Sequence, residues 1–334
     1  MRNILVVSVN WLGDAVFSTP VYHALKGQYP LARVTALCVP RVREVLAMCP
    51  DIDDVMVYDE DGIDRPLIRK CSLVHELRRR QFDAVYILRR SLSRTCLTVL
   101  AGIPVRVGFA SKGWRKLLTT VTDCSGLDDI HRADVYLRVL ESAGVKITDR
   151  ACRLTPPAGV LRGWRDRLSA LGVRAGERII AVNTGGNWDL KQWPVERFVE
   201  LVRAIHQQRL GRVILPGASK DVARVQRISD LSGVDPLITA GETGLTCLAG
   251  LLGCVDVLIT ADTGPLHLAS AIGTSTIALF GPTRPEITGP RGQGRSVILQ
   301  KDVGCNKTPC YYLECPDNRC MKAVEVQDVL QALQ

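Results

Sequence analysis

Nowhere in the 334 residues does an apolar run approach the roughly 18 that a membrane-spanning helix needs. The opening segment, MRNILVVSVNWLGD, is not expected to be a secretory leader. Asn10 and Asp14 cut its apolar run and no small-residue cleavage site follows, so it reads as a strand and the protein is expected to be cytoplasmic. Aromatic residues make up 5% and do not interleave with basic ones as a stacking platform requires, which argues against nucleic acid as a partner. No G-x-G-x-x-G follows the first strand-like run, so the dinucleotide oxidoreductase fingerprint is absent. Short repeats and low-complexity segments are missing as well. Hydrophobic content of 46% and charged content of 23% exclude a disordered, collagenous or coiled-coil chain.

Cysteine and positive charge are abundant. The four cysteines nearest the end, Cys305, Cys310, Cys315 and Cys320, stand at an even five-residue step. Without a secretory signal a disulfide framework is not expected, and zinc ligands usually pair as C-x2-C. A reduced, packed loop ranks above a metal site. The net charge is +9, and it is concentrated: residues 65–116 carry 13 Lys/Arg, among them Arg78, Arg79, Arg80, Arg89 and Arg90, against Glu76 and Asp83. That segment is +11, so the rest of the chain is −2. A field of one sign points to an anionic partner such as a phosphorylated substrate or an anionic membrane, unless it is only a solvated face.

Length alone suggests two domains, and the patterning gives two blocks. The first alternates strands at 4–9, 34–39, 55–58, 84–88 and 105–109 with helices at 14–26, 41–48, 66–80 and 91–101. The second alternates strands at 179–182, 213–215, 236–239, 255–260 and 276–280 with helices at 194–208, 219–231, 245–253 and 265–272. Short continuous apolar runs between amphipathic helices predict parallel sheets covered on both faces. The expected fold is α/β with two Rossmann-like, doubly wound domains facing each other across a cleft. The domains are read as 1–152 and 153–334, with the break in the Thr148-Asp-Arg and Thr155-Pro-Pro-Ala-Gly stretches.

Ligands in such sheets bind beyond the carboxyl ends of the strands, which singles out a few loops. After the first strand, Gly13 permits a tight turn and Asp14 opens a helix, either as an N-cap or as a catalytic carboxylate. In Asp262-Thr263-Gly264-Pro265-Leu266-His267, Pro265 suits a first helical position and Thr263 or Asp262 can cap. Gly264 allows close approach to the backbone, and the helix start suits a phosphate, which His267 would face. Lys191-Gln192-Trp193-Pro194 places a cation before a helix. Thr184-Gly185-Gly186 and Leu215-Pro-Gly-Ala-Ser-Lys-Asp221 are further strand-end turns, and Asp221 could bond a ribose hydroxyl. Phe280-Gly281-Pro282-Thr283 is a Gly-Pro turn at another strand end.

Taken together, Leu12-Gly13-Asp14, Lys191-Gln-Trp-Pro194, Asp262-Thr-Gly-Pro-Leu-His267-Leu-Ala269, Phe280-Gly-Pro-Thr283 and the Cys-rich tail ending Arg319-Cys320-Met321 resemble glycosyltransferase family 9 over essentially the whole chain. These are the ADP-heptose:lipopolysaccharide heptosyltransferases. The resemblance implies a GT-B fold, inverting transfer of heptose from an ADP-sugar to the lipopolysaccharide inner core, no cofactor and no metal. It implies Asp14 as the base, with Asp262, Thr263, Gly264, Leu266 and His267 as the donor-diphosphate loop and Lys191 as the cation there. Thr184 and Asp221 match more loosely. Where some heptosyltransferases carry consecutive hydroxyl residues, this chain has Thr184-Gly185-Gly186. The acceptor is implied to meet the basic segment of the first domain, at the inner leaflet of the cytoplasmic membrane. Three other readings stay open. They are a GT-B sugar-nucleotide epimerase or hydrolase, a family 9 transferase with a different donor, and a non-catalytic sugar-binding protein.

Overall fold

The computed structural model describes every residue except Asn187, Thr243, Asn306, Thr308, Pro309 and residues 311–314. The chain divides into two compact units, Met1–Thr155 and Pro156–Gln334, a little beyond the 152/153 break read from the sequence.

In the first unit β1 (Asn3–Val7), β2 (Arg33–Cys38), β3 (Asp54–Val57), β4 (Ala84–Ile87), β5 (Val105–Gly108) and β6 (Thr120–Val121) form one sheet in the order β3-β2-β1-β4-β5-β6. In the second, β7 (Ile179–Asn183), β8 (Arg212–Leu215), β9 (Leu237–Ile238), β10 (Val257–Ala261), β11 (Ser275–Leu279) and β12 (Ser296–Leu299) take the order β12-β11-β10-β7-β8-β9. Every pairing in both sheets is parallel. The central strands are sealed on both faces: Ile4, Leu5, Val6 and Val7 have no solvent exposure, nor do Ile180, Ala181 and Val182. That is why they read as continuous apolar runs and not as alternating ones. In each sheet the chain runs outward on one side, then returns to begin the other side next to the first strand. The strand order therefore reverses between β1 and β4, and between β7 and β10. Those switch points are where open α/β sheets bind ligands.

Several elements depart from the sequence reading. The helix expected at 14–26 is two helices, Leu12–Phe17 and Thr19–Gln28. Pro20 has no N–H to donate to the preceding turn, and the Ser18 and Thr19 hydroxyls bond back to the Ala15 and Val16 carbonyls. The pattern missed β6, which is two residues long, and β12, which has no fully buried residue. It also missed the helices Arg132–Glu141, Ala158–Ala170 and Val326–Leu333. Ala158–Ala170 buries only Trp164 and Leu168, too narrow a stripe to show periodicity. All twelve cysteines are free thiols.

Candidate active site

Asp14 lies at the switch point of the first sheet, in the segment leaving β1. It does not open its helix. Trp11 is the N-cap, and Asp14 is the third residue of Leu12–Phe17, with no side-chain cap at that end. Its carboxylate is held by a partner the sequence reading did not include: Tyr136 donates its phenol O–H to Asp14 Oδ1 at 2.7 Å. Tyr136 stands on Arg132–Glu141, whose first turn is fastened by Ala133 N–H donating to His131 Nδ1. Burial, and then the neighbouring Asp14 charge, push the phenol well above its ordinary pKa, so it remains a proton donor throughout the neutral range.

The loop carrying Asp14 is anchored from the other side of the switch point. Arg94, 2% exposed, donates to Ser8 O at 3.1 Å, Asn10 Oδ1 at 3.2 Å and Glu60 Oε1 at 2.9 Å. A buried guanidinium is tolerated only with such a set of acceptors. Arg94 is one of the 13 basic residues of 65–116, but it is not available to a partner. It shares the inward face of Leu92–Leu100 with Leu97 and Thr98, which are buried beside it.

The basic segment divides in the same way. Helix Leu67–Arg80 leaves the carboxyl end of β3 and runs back to the start of β4. Fourteen residues at ~1.5 Å each span about 21 Å, so Arg78, Arg79 and Arg80 lie at the opposite end of the sheet from Asp14. Arg80 there pairs with Asp54 and Glu76, its carbonyl accepts from Asn3, and Arg78 donates to Leu100 O. The sequence reads these three as part of the acceptor-side patch; the helix direction sets them apart from Asp14, Arg89 and Arg90. Arg89 and Arg90 follow β4 and do lie at the Asp14 end, half-buried and exposed respectively.

In the second unit the switch point joins the ends of β7 and β10, where Asn183 Nδ2 donates to Thr260 Oγ1 at 2.9 Å. The helix expected at 265–272 is Gly264–Ile272. Thr263 is its N-cap, Gly264 its first residue and Pro265 its second. It closes at Gly273, whose φ of 102° only glycine adopts without strain. Neither expected cap is made by a side chain: Thr263 Oγ1 meets Thr260 Oγ1 at 3.2 Å, and Asp262 turns inward.

Asp262, 3% exposed, is the organising group. Its Oδ2 accepts from Lys191 Nζ at 2.7 Å, Thr283 Oγ1 at 2.7 Å and Thr288 Oγ1 at 3.1 Å, and its Oδ1 lies 3.3 Å from His267 Nε2. Burial alone would raise its pKa. The His267 hydrogen bond and charge, followed by Lys191, more than reverse this and hold the carboxyl far below the usual carboxylate range. Lys191 also donates to Asp262 O at 3.2 Å and sits 5.4 Å from the Trp188 ring centroid. Both groups expected to face an incoming anion are thus positioned by an acid. The cation stays within reach because Trp193 anchors its loop: the indole is buried against Phe198 and donates to Val324 O at 2.9 Å.

The remaining residues fall differently. Leu266 packs in the core with Ala278 and Phe280, so its side chain does not face the loop. Thr184 is buried, and among the described residues its Oγ1 has no hydrogen-bond partner. Asp221 Oδ2 accepts from Ala218 N–H at 3.0 Å, and its carboxylate occupies the space a Cβ on Gly185 would need, 2.6 Å away. The Thr184-Gly185-Gly186 sequence is therefore a seat for Asp221. Thr283 and Thr288 are not among the residues the sequence singles out; the Gly281-Pro282 turn that carries Thr283 is the available hint.

Two Rossmann-like sheets define an α/β protein of two doubly wound units, with a held carboxylate at one switch point and a held cation beside a helix start at the other. Residues 70–316 match glycosyltransferase family 9 (heptosyltransferase), and the chain belongs to that family. It is 25% identical over 304 residues to lipopolysaccharide heptosyltransferase 2 of Escherichia coli, covering 88% of this chain and 87% of that one. Among solved structures it is similar to a family 9 glycosyltransferase from Veillonella parvula, with a TM-score of 0.86 and 24% identity over 99% and 95% of the two chains. It is also similar to the E. coli ADP-heptose lps heptosyltransferase II, with a TM-score of 0.78 and 21% identity over 100% and 98%. The fold is the GT-B type shared by these enzymes, and the chain is a glycosyltransferase.

Proposed function

We propose that this glycosyltransferase moves heptose from ADP-heptose to the inner core of lipopolysaccharide by a single inverting displacement. The observation that carries the reading is the Lys191–Asp262–His267 cluster beside the Thr263–Gly264 helix start, at the switch point of the second sheet. A diphosphate gains negative charge as it leaves. A fixed lysine and helix N–H groups meet that charge without reorganising. Thr184 Oγ1 is a buried hydroxyl that a donor could satisfy. Asp14 takes the proton from the acceptor hydroxyl, oriented by Tyr136, while ADP departs from the opposite face of the sugar. The transition state has oxocarbenium character, as in glycoside hydrolysis.

No cofactor enters this scheme, and protein cations replace a metal at the diphosphate. The test is transfer from a panel of ADP- and UDP-sugars to Kdo- and heptose-terminated inner-core acceptors, read by mass spectrometry. ADP-heptose should be the preferred donor, and EDTA should leave the rate unchanged. Sugar release without an acceptor would replace transfer with hydrolysis. Loss of activity on chelation, restored by Mg²⁺ or Mn²⁺, would give the diphosphate to a metal.

Among the described residues no helix is long and apolar enough to cross a membrane. We place the enzyme at the cytoplasmic surface of the inner membrane, where its acceptor is presented. The cations that serve the acceptor are those at the Asp14 end: Arg65, Arg69, Arg89 and Arg90. Each contributes on the order of 1 kcal/mol near an anionic surface. Arg69→Glu with Arg90→Glu should raise the acceptor KM about tenfold or more and weaken its salt dependence, with ADP affinity unchanged. Arg79→Glu, at the far end, should leave the acceptor KM where it is. Equal effects from both ends would mean that only overall charge matters.

A further inference from the structure

We infer that Ile63, Leu67 and Ile68 form an apolar tip that enters the interface of an anionic bilayer at the Asp14 end of the first unit. The inference rests on the membrane-surface reading above and goes beyond it, from attraction by charge to insertion of named side chains.

Most of the exposed large apolar residues stand singly along the chain, but these three are 73%, 78% and 76% exposed within six positions of one another. They occupy the segment that leaves the carboxyl end of β3 and the first turn of Leu67–Arg80. Others share that end of the sheet. Trp11, 62% exposed, follows β1, and Leu92 follows β4. The segments are tied to one another: the Arg41 guanidinium lies 4.9 Å from the Trp11 ring centroid, and Glu60 accepts from both Arg94 and Ser93. Isolated surface apolar residues need no explanation. Several at one end of a sheet, rimmed by charge, mark an interaction surface.

The charges around the tip identify the partner. The stretch 59–64 has four acids, of which Glu60 is paired with Arg94; the cations that outnumber them at this end of the sheet include Arg41, Arg43, Arg89 and Arg90 on the neighbouring strand ends. Asp59 accepts from Ile63 N–H at 3.3 Å, Asp64 accepts from Asp59 N–H at 2.8 Å, and Glu60 neutralises Arg94. Among the cations, Arg65 and Arg69 are exposed and Lys70 is half-buried. A helix start with apolar side chains and flanking Lys/Arg is the pattern that lies in a headgroup layer, where buried apolar area and attraction to anionic lipid add. The same end carries Asp14, so insertion would bring the proposed base to the acceptor's plane.

The test is partitioning of the full chain into vesicles of phosphatidylethanolamine and phosphatidylglycerol, by flotation. Wild type should bind, and binding should weaken in high salt. Ile63→Ser/Leu67→Ser/Ile68→Ser should bind at least tenfold more weakly, with an unchanged Tm because the three side chains are exposed. It should still transfer to a deacylated, water-soluble acceptor. Arg79→Glu should bind as wild type does. Vesicle binding is read without turnover, so a failed transfer assay leaves this inference standing. Wild type that ignores the vesicles overturns it. So does a triple variant that binds them normally while its acceptor KM rises, because the tip would then touch the acceptor and not the bilayer.

Discussion

Asp14→Asn should lower kcat by about 10²–10⁴, the usual cost of losing a general base, while ADP binds with near wild-type affinity. The amide keeps the size of the carboxylate and can still accept the Tyr136 hydrogen bond. Asp14 caps nothing with its side chain, so the variant should fold with a Tm close to that of wild type. Tyr136→Phe should show a smaller version of the same defect, about tenfold in kcat, because a hydrogen bond to a charged group contributes roughly 1.5–3 kcal/mol. The donor KM should stay put. Stopped-assay kinetics with calorimetric ADP titration separate these effects. A variant Asp14→Asn that transfers at wild-type rate, or that unfolds, removes Asp14 from the chemistry.

The second large effect lies in the other unit. Asp262→Asn should destabilise the protein by about 3 kcal/mol. That is the low end for breaking a buried pair, because the Lys191 side chain keeps 20% of its surface in water. ADP affinity should fall on the order of tenfold, since a charged hydrogen bond no longer fixes the lysine. Lys191→Met in the Asp262→Asn background should then cost much less than in wild type, with a coupling of at least about 1 kcal/mol. Urea unfolding of the four proteins closes this cycle. Strict additivity would mean that the 2.7 Å contact does not hold the loop. The pH dependence has a definite sign. A carboxyl depressed in the folded state gives its full stabilisation above its unfolded pKa and loses it progressively as pH falls from the unfolded value through the folded one. For Asp262 the folded value is far below the usual range, so its contribution should be intact down to about pH 5 and shrink gradually below that, without a sharp loss near pH 4. Unfolding curves between pH 4 and pH 8 check it.

Leu12-Gly-Asp14, Lys191-Gln-Trp-Pro194 and Asp262-Thr-Gly-Pro-Leu-His267 were all visible in the sequence, but their inner division of labour was not. Trp193 and Leu266 sit within these motifs and serve the core, whereas Lys191 and His267 serve the site. A linear pattern weighs neighbours in the chain, and what separates these residues is what they meet from other segments. Asp14 finds its donor 122 positions away on Tyr136, and Asp262 finds Lys191 71 positions away.

What the chain's order of residues determined by itself was local: short apolar runs that become buried parallel strands, breaks between them, and turns able to receive an anion. These follow from side-chain periodicity and from the conformational limits of Gly and Pro. Tertiary structure decided the strand orders, and through them which loops meet at each switch point. It also decided the fate of charge. The +11 segment reads as one basic patch, but helix Leu67–Arg80 carries Arg78, Arg79 and Arg80 about 21 Å down the sheet at ~1.5 Å per residue. Arg94 goes into the interior against Ser8, Asn10 and Glu60. Net charge adds along a sequence regardless of direction, whereas a field at a site depends on where each charge ends and what already neutralises it.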